Sequence, residues 1–324
     1  MADARKTVNA ALQHLHLRFT RAGAKGLRMA ARIARLVAAV ALALSTPACA
    51  ADTAASKPAP PAGPALWKVA DADTTIYLFG TIHALPPGIQ WFDGRVAQAF
   101  DSSGELVTEI DPAQTAGLQG EIMATGTLPP GQSLRELMKP EDRAQYEAAL
   151  AALGLPANAL DRFEPWYATI SLAMLPLLKD GYGPDSGVEY VLTDKAANKQ
   201  RDALETVQFQ IGLFDAMPMD KQLEYLDETV EGIPELGTVL GQMVSDWLAG
   251  DADALAVLMN DEMSDDEIYD RLLVARNVKW AAWIDQRLKQ PGAVFIAVGA
   301  GHLAGRGSVQ DQLKARGIAV TRIE

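Results

Sequence analysis

Cysteine and histidine are both scarce in this chain of 324 residues, which has one cysteine, Cys49, and four histidines. A single cysteine has no partner for an internal disulfide, so the fold must be stabilised by a hydrophobic core, which a chain of this length can bury. The sequence also lacks the H-E-x-x-H, G-x-S-x-G and C-x-x-C motifs. These absences exclude several common active sites. Beyond residue 50 the only histidines are His83 and His302.

Positive charge is scarce as well. The formal net charge is −12, from 29 Lys and Arg against 41 Asp and Glu, and eight of the basic residues lie in the first 35 positions. The part of the chain after residue 50 is therefore strongly acidic, and it repels nucleic-acid phosphates and anionic lipid headgroups. We expect no nucleic-acid partner.

Residues 1–50 have the pattern of a secretory signal peptide. A basic stretch precedes the apolar run Leu36–Leu44, which is followed by small residues ending in Ala48-Cys49-Ala50. This order predicts cleavage after Ala50 and a periplasmic or secreted protein. The apolar run of nine residues is shorter than the about 20 that span a bilayer, so we expect no stable membrane span. Met29 is an alternative natural start, and Cys49 is an alternative site of lipid attachment.

The remaining chain divides into a linker and one domain. Residues 51–64 are rich in Ala and Pro and predict a disordered linker, so the domain covers residues 65–324. The runs Leu66–Val69 and Thr74–Phe79 flank a turn that contains two Asp residues, which predicts a β-hairpin. Short apolar runs then alternate with segments of helical period. The alternation predicts an α/β fold with a mixed, mostly parallel central sheet and flanking helices.

The helix-rich parts, roughly 112–185 and 215–290, are too long for simple crossovers and predict a helical cap. Ser133-x-x-Glu136 has the spacing of a capping box. The hydrophobic period predicts helices over Glu141–Leu153, Val188–Asn198, Val207–Met217, Lys221–Val230, Thr238–Leu248, Ala252–Met259 and Asp266–Lys289.

The two histidines occupy the same local setting. Gly80-Thr81-Ile82-His83 and Gly299-Ala300-Gly301-His302 are both G-x-x-H motifs, and each follows a predicted strand. Glycine permits the sharp turn that is needed there. In open α/β sheets ligands bind beyond the carboxyl ends of the strands. Two further strand ends carry carboxylates, Glu109 and Glu205, so four strands are expected to present polar side chains at one edge.

Imidazole nitrogens and carboxylate oxygens are ligands for divalent metals, and a metal that keeps one position open for water supports hydrolysis. The alternative is that each histidine only caps a turn, although the repeated motif favours a shared site. Glu205 has its own alternative, since it lies at the start of the helix predicted from Val207 and could belong to the helix N-cap region.

Arg276 and Asn277 lie on the predicted helix Asp266–Lys289, between apolar positions that are expected to be buried. A solvent-facing or helix-bridging pair is the more common role of such residues, and use in the site is the alternative. On the same helix Trp280 and Trp283 are spaced i, i+3 and are expected to face the core together.

The domain resembles the TraB/GumN family, which includes the Tiki metalloproteases and is related to the ChaN-like haem-binding fold. The resemblance spans residues 66–324. It is carried by Trp67-Lys68, the segment Tyr77–His83, Glu109, Gly187-Val188-Glu189, Leu204-Glu205-Thr206, Gln208, Gln210, Arg276-Asn277, the segment Val298–Gly305 and Gly317.

The resemblance implies an EreA/ChaN-like fold. It also implies a divalent-metal site, with Mn, Co or Zn as candidates, formed by His83, Glu109 and His302 and supported by Arg276 and Asn277. Glu109 would be either a third ligand or the general base. Position 189 is Asp in most relatives and Glu here, so the resemblance assigns it no role.

The predicted function is that of an exported metal-dependent hydrolase acting on peptides, with Glu109, Glu205, Arg276 and Asn277 as catalytic-site residues. One alternative is a non-catalytic cell-envelope module that binds haem or another small ligand. A second alternative is an envelope scaffold whose site residues are vestigial. The expected partner is a peptide or small-molecule substrate, and the sequence indicates no oligomeric state.

Overall fold

The computed structural model describes residues 63–92, 94–112, 118–261 and 266–323. The predicted signal peptide, the alternative start Met29, Cys49 and all but the last two linker residues lie outside these ranges. None of the helices in these ranges has both the length and the apolar character needed to cross a membrane.

Six strands form one sheet with the order β4-β3-β5-β2-β1-β6. They are β1 (Leu66–Ala70), β2 (Thr74–Thr81), β3 (Glu105–Thr108), β4 (Gln200–Ala203), β5 (Gly292–Gly299) and β6 (Thr321–Ile323). Strands β4, β3, β5 and β2 are parallel neighbours, whereas β1 is antiparallel to both β2 and β6. The predicted mixed, mostly parallel sheet is therefore confirmed.

The predicted β-hairpin is also confirmed. Trp67 of β1 pairs with Leu78 of β2. In the turn the carboxylate of Asp71 accepts hydrogen bonds from the backbone N–H groups of Asp73, at 3.1 Å, and Thr74, at 2.9 Å. The Asp residue thus stabilises the turn by bonding the backbone two and three positions ahead.

Helices cover both faces of the sheet and one side of the domain. They are α1 (Gly94–Ser102), α2 (Gln119–Thr125), α3 (Leu134–Leu137), α4 (Pro140–Ala152), α5 (Pro165–Lys179), α6 (Val188–Lys195), α7 (Val207–Asp215), α8 (Met219–Gly232), α9 (Leu236–Leu248), α10 (Ala252–Ala256), α11 (Asp266–Tyr269), α12 (Ala275–Arg287) and α13 (Val309–Ala315). Helix α5 has no counterpart in the sequence prediction because it is apolar on nearly every side and shows no amphipathic period.

Three helical predictions need correction. The helix predicted over Ala252–Met259 is α-helical only as far as Ala256 and continues as a π-helical turn, Val257–Asp261. The long segment predicted over Asp266–Lys289 is interrupted by a π-helical turn, Asp270–Val274, between α11 and α12. Hydrophobic periodicity does not reveal such a turn, and π-turns often occur near functional sites. The predicted capping box at Ser133 precedes only the four-residue helix α3, and the hydroxyl of Ser133 makes no capping hydrogen bond.

The core has one apolar cluster on each face of the sheet, because alternate residues of a strand point to opposite faces. Phe295 of β5 belongs to one cluster, and its neighbours Val294 and Ile296 belong to the other. A third cluster joins α4, α5 and α8 through residues such as Tyr146, Leu172 and Leu226, and it forms the predicted helical cap.

The cap was predicted to extend to residue 290, and this is wrong for α12. Trp280 and Ile284 are buried in the same cluster as Val294 of the sheet, and Trp283 packs against that cluster in a partly buried position. Helix α12 therefore covers the sheet directly. The expectation that both tryptophans face the core is confirmed.

Candidate functional site

The four strand-end residues lie at one edge of the sheet. His83 follows β2, Glu109 directly follows β3, Glu205 follows β4, and His302 lies in a 3₁₀ turn, Ala300–Leu303, after β5. These four strands are parallel neighbours, so their carboxyl ends meet. His83, Glu109 and His302 each have 5% of their surface exposed, and the Glu205 side chain is 5% exposed. The four side chains thus lie at one edge of the sheet, as the sequence predicts.

Glycine keeps a small space open between three of these side chains. A Cβ atom added to Gly299 would lie 3.1 Å from Oε1 of Glu109 and 3.7 Å from both Nε2 of His83 and Cδ2 of His302. A Cβ atom added to Gly80 would lie 3.1 Å from the backbone of Ala300. The glycine of each G-x-x-H motif thus permits a close approach that any other residue would obstruct.

Glu109 is held by three donors. Its Oε1 accepts a hydrogen bond from the N–H of Gly299 at 2.7 Å. Its Oε2 accepts hydrogen bonds from Arg276 Nη2 at 2.6 Å and from Gln210 Nε2 at 3.0 Å. Burial raises the pKa of Glu109, but the charges of Arg276 and the two histidines and the Gly299 N–H together lower this pKa to about 2. Glu109 is therefore ionised at neutral pH.

Glu205 is tied to the same network. Arg276 donates to it from Nε, at 2.8 Å to Oε1, and from Nη2, at 2.7 Å to Oε2. The indole N–H of Trp280 donates to Oε1 at 3.0 Å, and Gln210 Nε2 donates to Oε2 at 3.0 Å. The N-cap of α7 is Thr206, whose hydroxyl accepts the N–H of Phe209. Glu205 therefore lies in the N-cap region, as its alternative stated, but the capping side chain is that of Thr206, and the Glu205 carboxylate bonds Arg276 and Trp280 instead.

The His302 ring is fixed through both nitrogens. Nδ1 lies 2.6 Å from Oδ1 of Asn277, and the Asn277 amide in turn donates from Nδ2 to the carbonyl of Gly307 at 2.9 Å. Nε2 lies 3.0 Å from Nη1 of Arg276. A guanidinium group only donates, so Nε2 accepts and the proton of the neutral ring is on Nδ1. Burial and the charge of Arg276 lower the pKa of His302 to about 3.

The solvent-facing interpretation of Arg276 and Asn277 is wrong. They are 3% and 1% exposed, respectively, and both contact His302. Both residues lie on helix α12, which brings them to this edge of the sheet. The guanidinium carbon of Arg276 also lies 4.8 Å from the centroid of the Trp280 ring. A buried guanidinium needs ionised or strongly accepting partners, and the two glutamates supply them.

The His83 ring has a carboxylate beside it. Nδ1 lies 2.5 Å from Oε1 of Glu189, although its N–H is not aligned for a regular hydrogen bond. The hydroxyl of Thr81 donates to the same oxygen. Burial lowers the pKa of His83, but the adjacent carboxylate of Glu189 and the charge of Glu109 together outweigh burial and raise the pKa above its ordinary value. The other carboxylate oxygen of Glu189 has no hydrogen-bond partner within the described part of the chain.

Sequence reasoning gave no role to three residues of this network. Glu189 and Gln210 stand in segments that carry the family resemblance, but neither was assigned to the site. Trp280 was assigned to the core, and it packs there while its indole N–H bonds Glu205 and its ring lies 4.3 Å from that of His302. A signal for Gln210 is its position one helical turn after Thr206, the N-cap residue that directly follows the strand-end carboxylate Glu205.

The site carries more negative than positive charge. Glu109 and Glu205 share the single guanidinium of Arg276, and the Glu189 carboxylate lies beside His83. Two negative charges are in excess when both imidazoles are neutral, and one is in excess when His83 is protonated. An uncompensated charge is costly in a buried site. A divalent cation would balance this excess.

The donor atoms fit a divalent metal in chemical type. Each histidine has its partner at Nδ1, so Nε2 is the nitrogen left for a metal, and the Glu109 carboxylate lies between the rings. In the structure Arg276 donates hydrogen bonds to Nε2 of His302 and to Oε2 of Glu109. Across the described ranges no three His, Cys, Asp or Glu side chains are already gathered around one ion position. A metal at this site would therefore replace Arg276 at Nε2 of His302.

Comparisons with known proteins agree on the family resemblance. The TraB/PrgY/gumN family profile matches residues 65–322. An uncharacterized protein of Treponema pallidum (strain Nichols) is 22% identical and is aligned over 77% of this chain and 80% of its own length. The uncharacterized protein YbaP of Escherichia coli (strain K12) is 24% identical over 74% of this chain and 87% of its own length. No solved structure matches, so the EreA/ChaN-like comparison stays a prediction.

Proposed function

The chain belongs to the TraB/PrgY/gumN family, and on this premise we propose that it is an exported, metal-dependent hydrolase of the cell envelope that cleaves peptides at the sheet-edge site. One observation carries the proposal: the site buries three carboxylates and a single guanidinium beside two imidazoles, and each imidazole has a helix side chain, Glu189 or Asn277, at its Nδ1 atom. Hydrolysis assisted by a divalent cation uses this combination of charge and donors.

In this proposal His83, Glu109 and His302 hold the ion, with Mn, Co and Zn as candidates. When bound, such an ion supplies Lewis acidity toward a substrate carbonyl and lowers the pKa of a bound water. The ionisation states of His302 and Glu109 support their assignment as ligands. His302 is neutral with its lone pair on Nε2, and Glu109, with a pKa of about 2, is ionised.

The pKa of Glu109 also indicates whether this residue is a metal ligand or the general base. A general base works best when its pKa is near the working pH, and a carboxylate with a pKa of about 2 accepts a proton poorly at neutral pH. The electrostatics therefore favour Glu109 as a ligand. Arg276 and Gln210 orient its carboxylate, and Glu205 fixes Arg276.

Burial of the site favours a second candidate function. His83, Glu109 and His302 are each only 5% exposed, and a closed site of this kind suits a small ligand better than a peptide backbone. In this alternative the chain is a non-catalytic module that binds a small polar ligand. Haem is a larger ligand, and the buried site would have to open to admit it.

The experiment compares metal content and hydrolysis in the same samples. Protein purified from the envelope fraction is analysed by elemental mass spectrometry and incubated with a quenched-fluorescent peptide library, before and after chelation and after return of Mn²⁺, Co²⁺ or Zn²⁺. We expect chelation to abolish cleavage and one of these ions to restore it. His302→Ala should lose both metal and cleavage, whereas the exposed-pair variant Arg316→Ala should keep both. A Soret band, or cleavage that survives chelation, would contradict the proposal.

Export has a separate test. We expect the native protein in an osmotic-shock fraction to begin at Ala51, as measured by mass spectrometry of its first peptide. A diacylated Cys49 at the first position would instead identify a lipoprotein. A first residue of Met1 or Met29 would contradict cleavage altogether.

A further inference from the structure

Resting on the proposed function, we propose that Glu189 is the positioning residue of His83, which holds the ring from the Nδ1 side so that Nε2 faces the space at Gly299. Glu189 is 3% exposed, and its Oε1 is 2.5 Å from Nδ1 of His83. On the other side of the ring, Nε2 is 3.7 Å from the Cβ position of Gly299. Glu189 is thus behind the imidazole, where it orients the ring without occupying the space.

The backbone brings Glu189 to this position. The N–H of Val188, at the start of α6, donates to the carbonyl of Ile82 at 3.1 Å, so the residues next to Glu189 and His83 are bonded to each other. A second backbone bond, from the N–H of Gly183 to the carbonyl of Leu85 at 3.3 Å, ties the same two segments together. The register of these segments fixes which side chain of α6 meets His83.

The hydrogen bonding of Glu189 favours a functional role over a purely structural one. Oε1 receives the Thr81 hydroxyl and faces His83, whereas Oε2 is buried with no hydrogen-bond partner among the described residues. A buried carboxylate with one unsatisfied oxygen is a poor stabilising element. A carboxylate behind a metal-binding imidazole, by contrast, fixes the tautomer and makes the ligand nitrogen more basic.

The other histidine has the same arrangement with a different partner. Asn277 accepts the Nδ1 proton of His302 and is itself anchored on Gly307. The two G-x-x-H motifs are therefore each completed by a side chain from a helix, Glu189 from α6 and Asn277 from α12. At Nδ1 only His83 has a charged partner, so the Nε2 atom of His83 is expected to be the stronger donor to a metal.

The test measures Co²⁺ binding, which does not depend on substrate or turnover. The chelated full-length mature protein is titrated with Co²⁺ and followed by its visible d–d absorption and by calorimetry. Removal of a residue that orients a metal-binding histidine typically lowers metal affinity 10–100-fold. We expect Glu189→Gln, which keeps an acceptor but loses the charge, to weaken Co²⁺ binding about 10-fold, and Glu189→Ala to weaken it about 100-fold.

Asp194→Asn is the matched control, since Asp194 is an exposed carboxylate on the same helix. It should bind Co²⁺ as the wild type does. If the wild type binds Co²⁺ and Glu189→Gln binds it equally well, Glu189 is not a positioning residue, while the metal-dependent function stands. If the wild type itself does not bind Co²⁺, Mn²⁺ or Zn²⁺, the proposed function and the role of Glu189 fail together. Because Glu189→Gln preserves shape, it remains informative even if Glu189→Ala does not fold.

Discussion

The two G-x-x-H motifs are alike in sequence and placement but differ in charge. His83, after β2, is backed by the carboxylate of Glu189, which raises its pKa against the effect of burial. His302, after β5, is backed by the neutral amide of Asn277 and faces the guanidinium of Arg276, and its pKa falls to about 3. The G-x-x-H motif therefore determines the position of each imidazole. The side chains of the helices packed against the motif determine the pKa of that imidazole.

Because of this difference, the two histidines differ in how readily each can bind a cation. The His302 side is neutral and ready to donate a lone pair, but Arg276 competes for it. The His83 side holds its proton more tightly when no cation is present, because Glu189 needs a positive partner. The predictions for Arg276, Asn277 and Glu189 each remove one cause of this asymmetry.

The largest effect is expected from Arg276→Ala. Loss of the guanidinium leaves Glu109 and Glu205 buried without their positive partner, which typically destabilises a fold by about 3–5 kcal/mol. The free energy of unfolding is measured by urea denaturation of the chelated protein. Arg316→Ala is the control, because its ion pair with Asp285 is about one-third exposed and should contribute less than about 1 kcal/mol. Equal losses in the two variants would mean that the buried network contributes little to stability.

A smaller effect is expected from Asn277→Ala, which removes the neutral partner of His302. The Nδ1 proton of His302 and the carbonyl of Gly307 then lose their partners in a buried position, at a cost of about 1–3 kcal/mol. The measurement is again urea denaturation, with the exposed Asn198→Ala as the control. A loss no greater than that of the control would mean that His302 finds another acceptor.

Gly299→Ala tests the space that both sides share. The added Cβ would lie 3.1 Å from Glu109 Oε1, so we expect overpacking to cost about 1–2 kcal/mol. Co²⁺ affinity should also fall, since the new methyl group lies between the donors. Gly241→Ala in α9 is the matched control, because its Cβ meets nothing within 4 Å and alanine stabilises a helix by about 0.5–1 kcal/mol relative to glycine. Unchanged Co²⁺ affinity in Gly299→Ala would place the ion elsewhere.

The sequence predicted most of this site, and for a physical reason. Parallel strands end at one edge, so residues just after apolar runs, such as His83, Glu109 and His302, are brought together whatever connects the strands. Site residues that lie on helices are harder to predict. Arg276 follows a π-helical turn that shifts the faces of α12, and the position of Glu189 depends on the backbone bond between Val188 and Ile82. Neither feature has a periodic signal in the sequence.

The smallest effect concerns pH and a carboxyl group in the helical cap. Burial and the neighbouring Asp142 raise the pKa of Asp227 from its ordinary value of 3.8 to about 7. The folded state therefore binds this proton more tightly than the unfolded chain does, and stability is lost as pH rises from about 4 to about 7. Asp227→Asn removes this loss. At pH 8 we expect it to be more stable than the wild type by about 1 kcal/mol, a discounted value because the group is partly exposed.

With Asp227→Asn as the background, the pH dependence of unfolding in chelated protein separates the two histidines. The folded pKa of His302, about 3, is below its ordinary value of 6.5, so this residue makes stability rise with pH from about 3 to 6.5. The folded pKa of His83 is raised, so its contribution is complete below pH 6.5 and is lost as pH increases through the folded value. The two histidines alone would therefore place the greatest stability near pH 6.5, and Glu189→Gln should reduce the decline above it while leaving the rise below it unchanged. A decline of unchanged size in Glu189→Gln would show that Glu189 does not raise the pKa of His83.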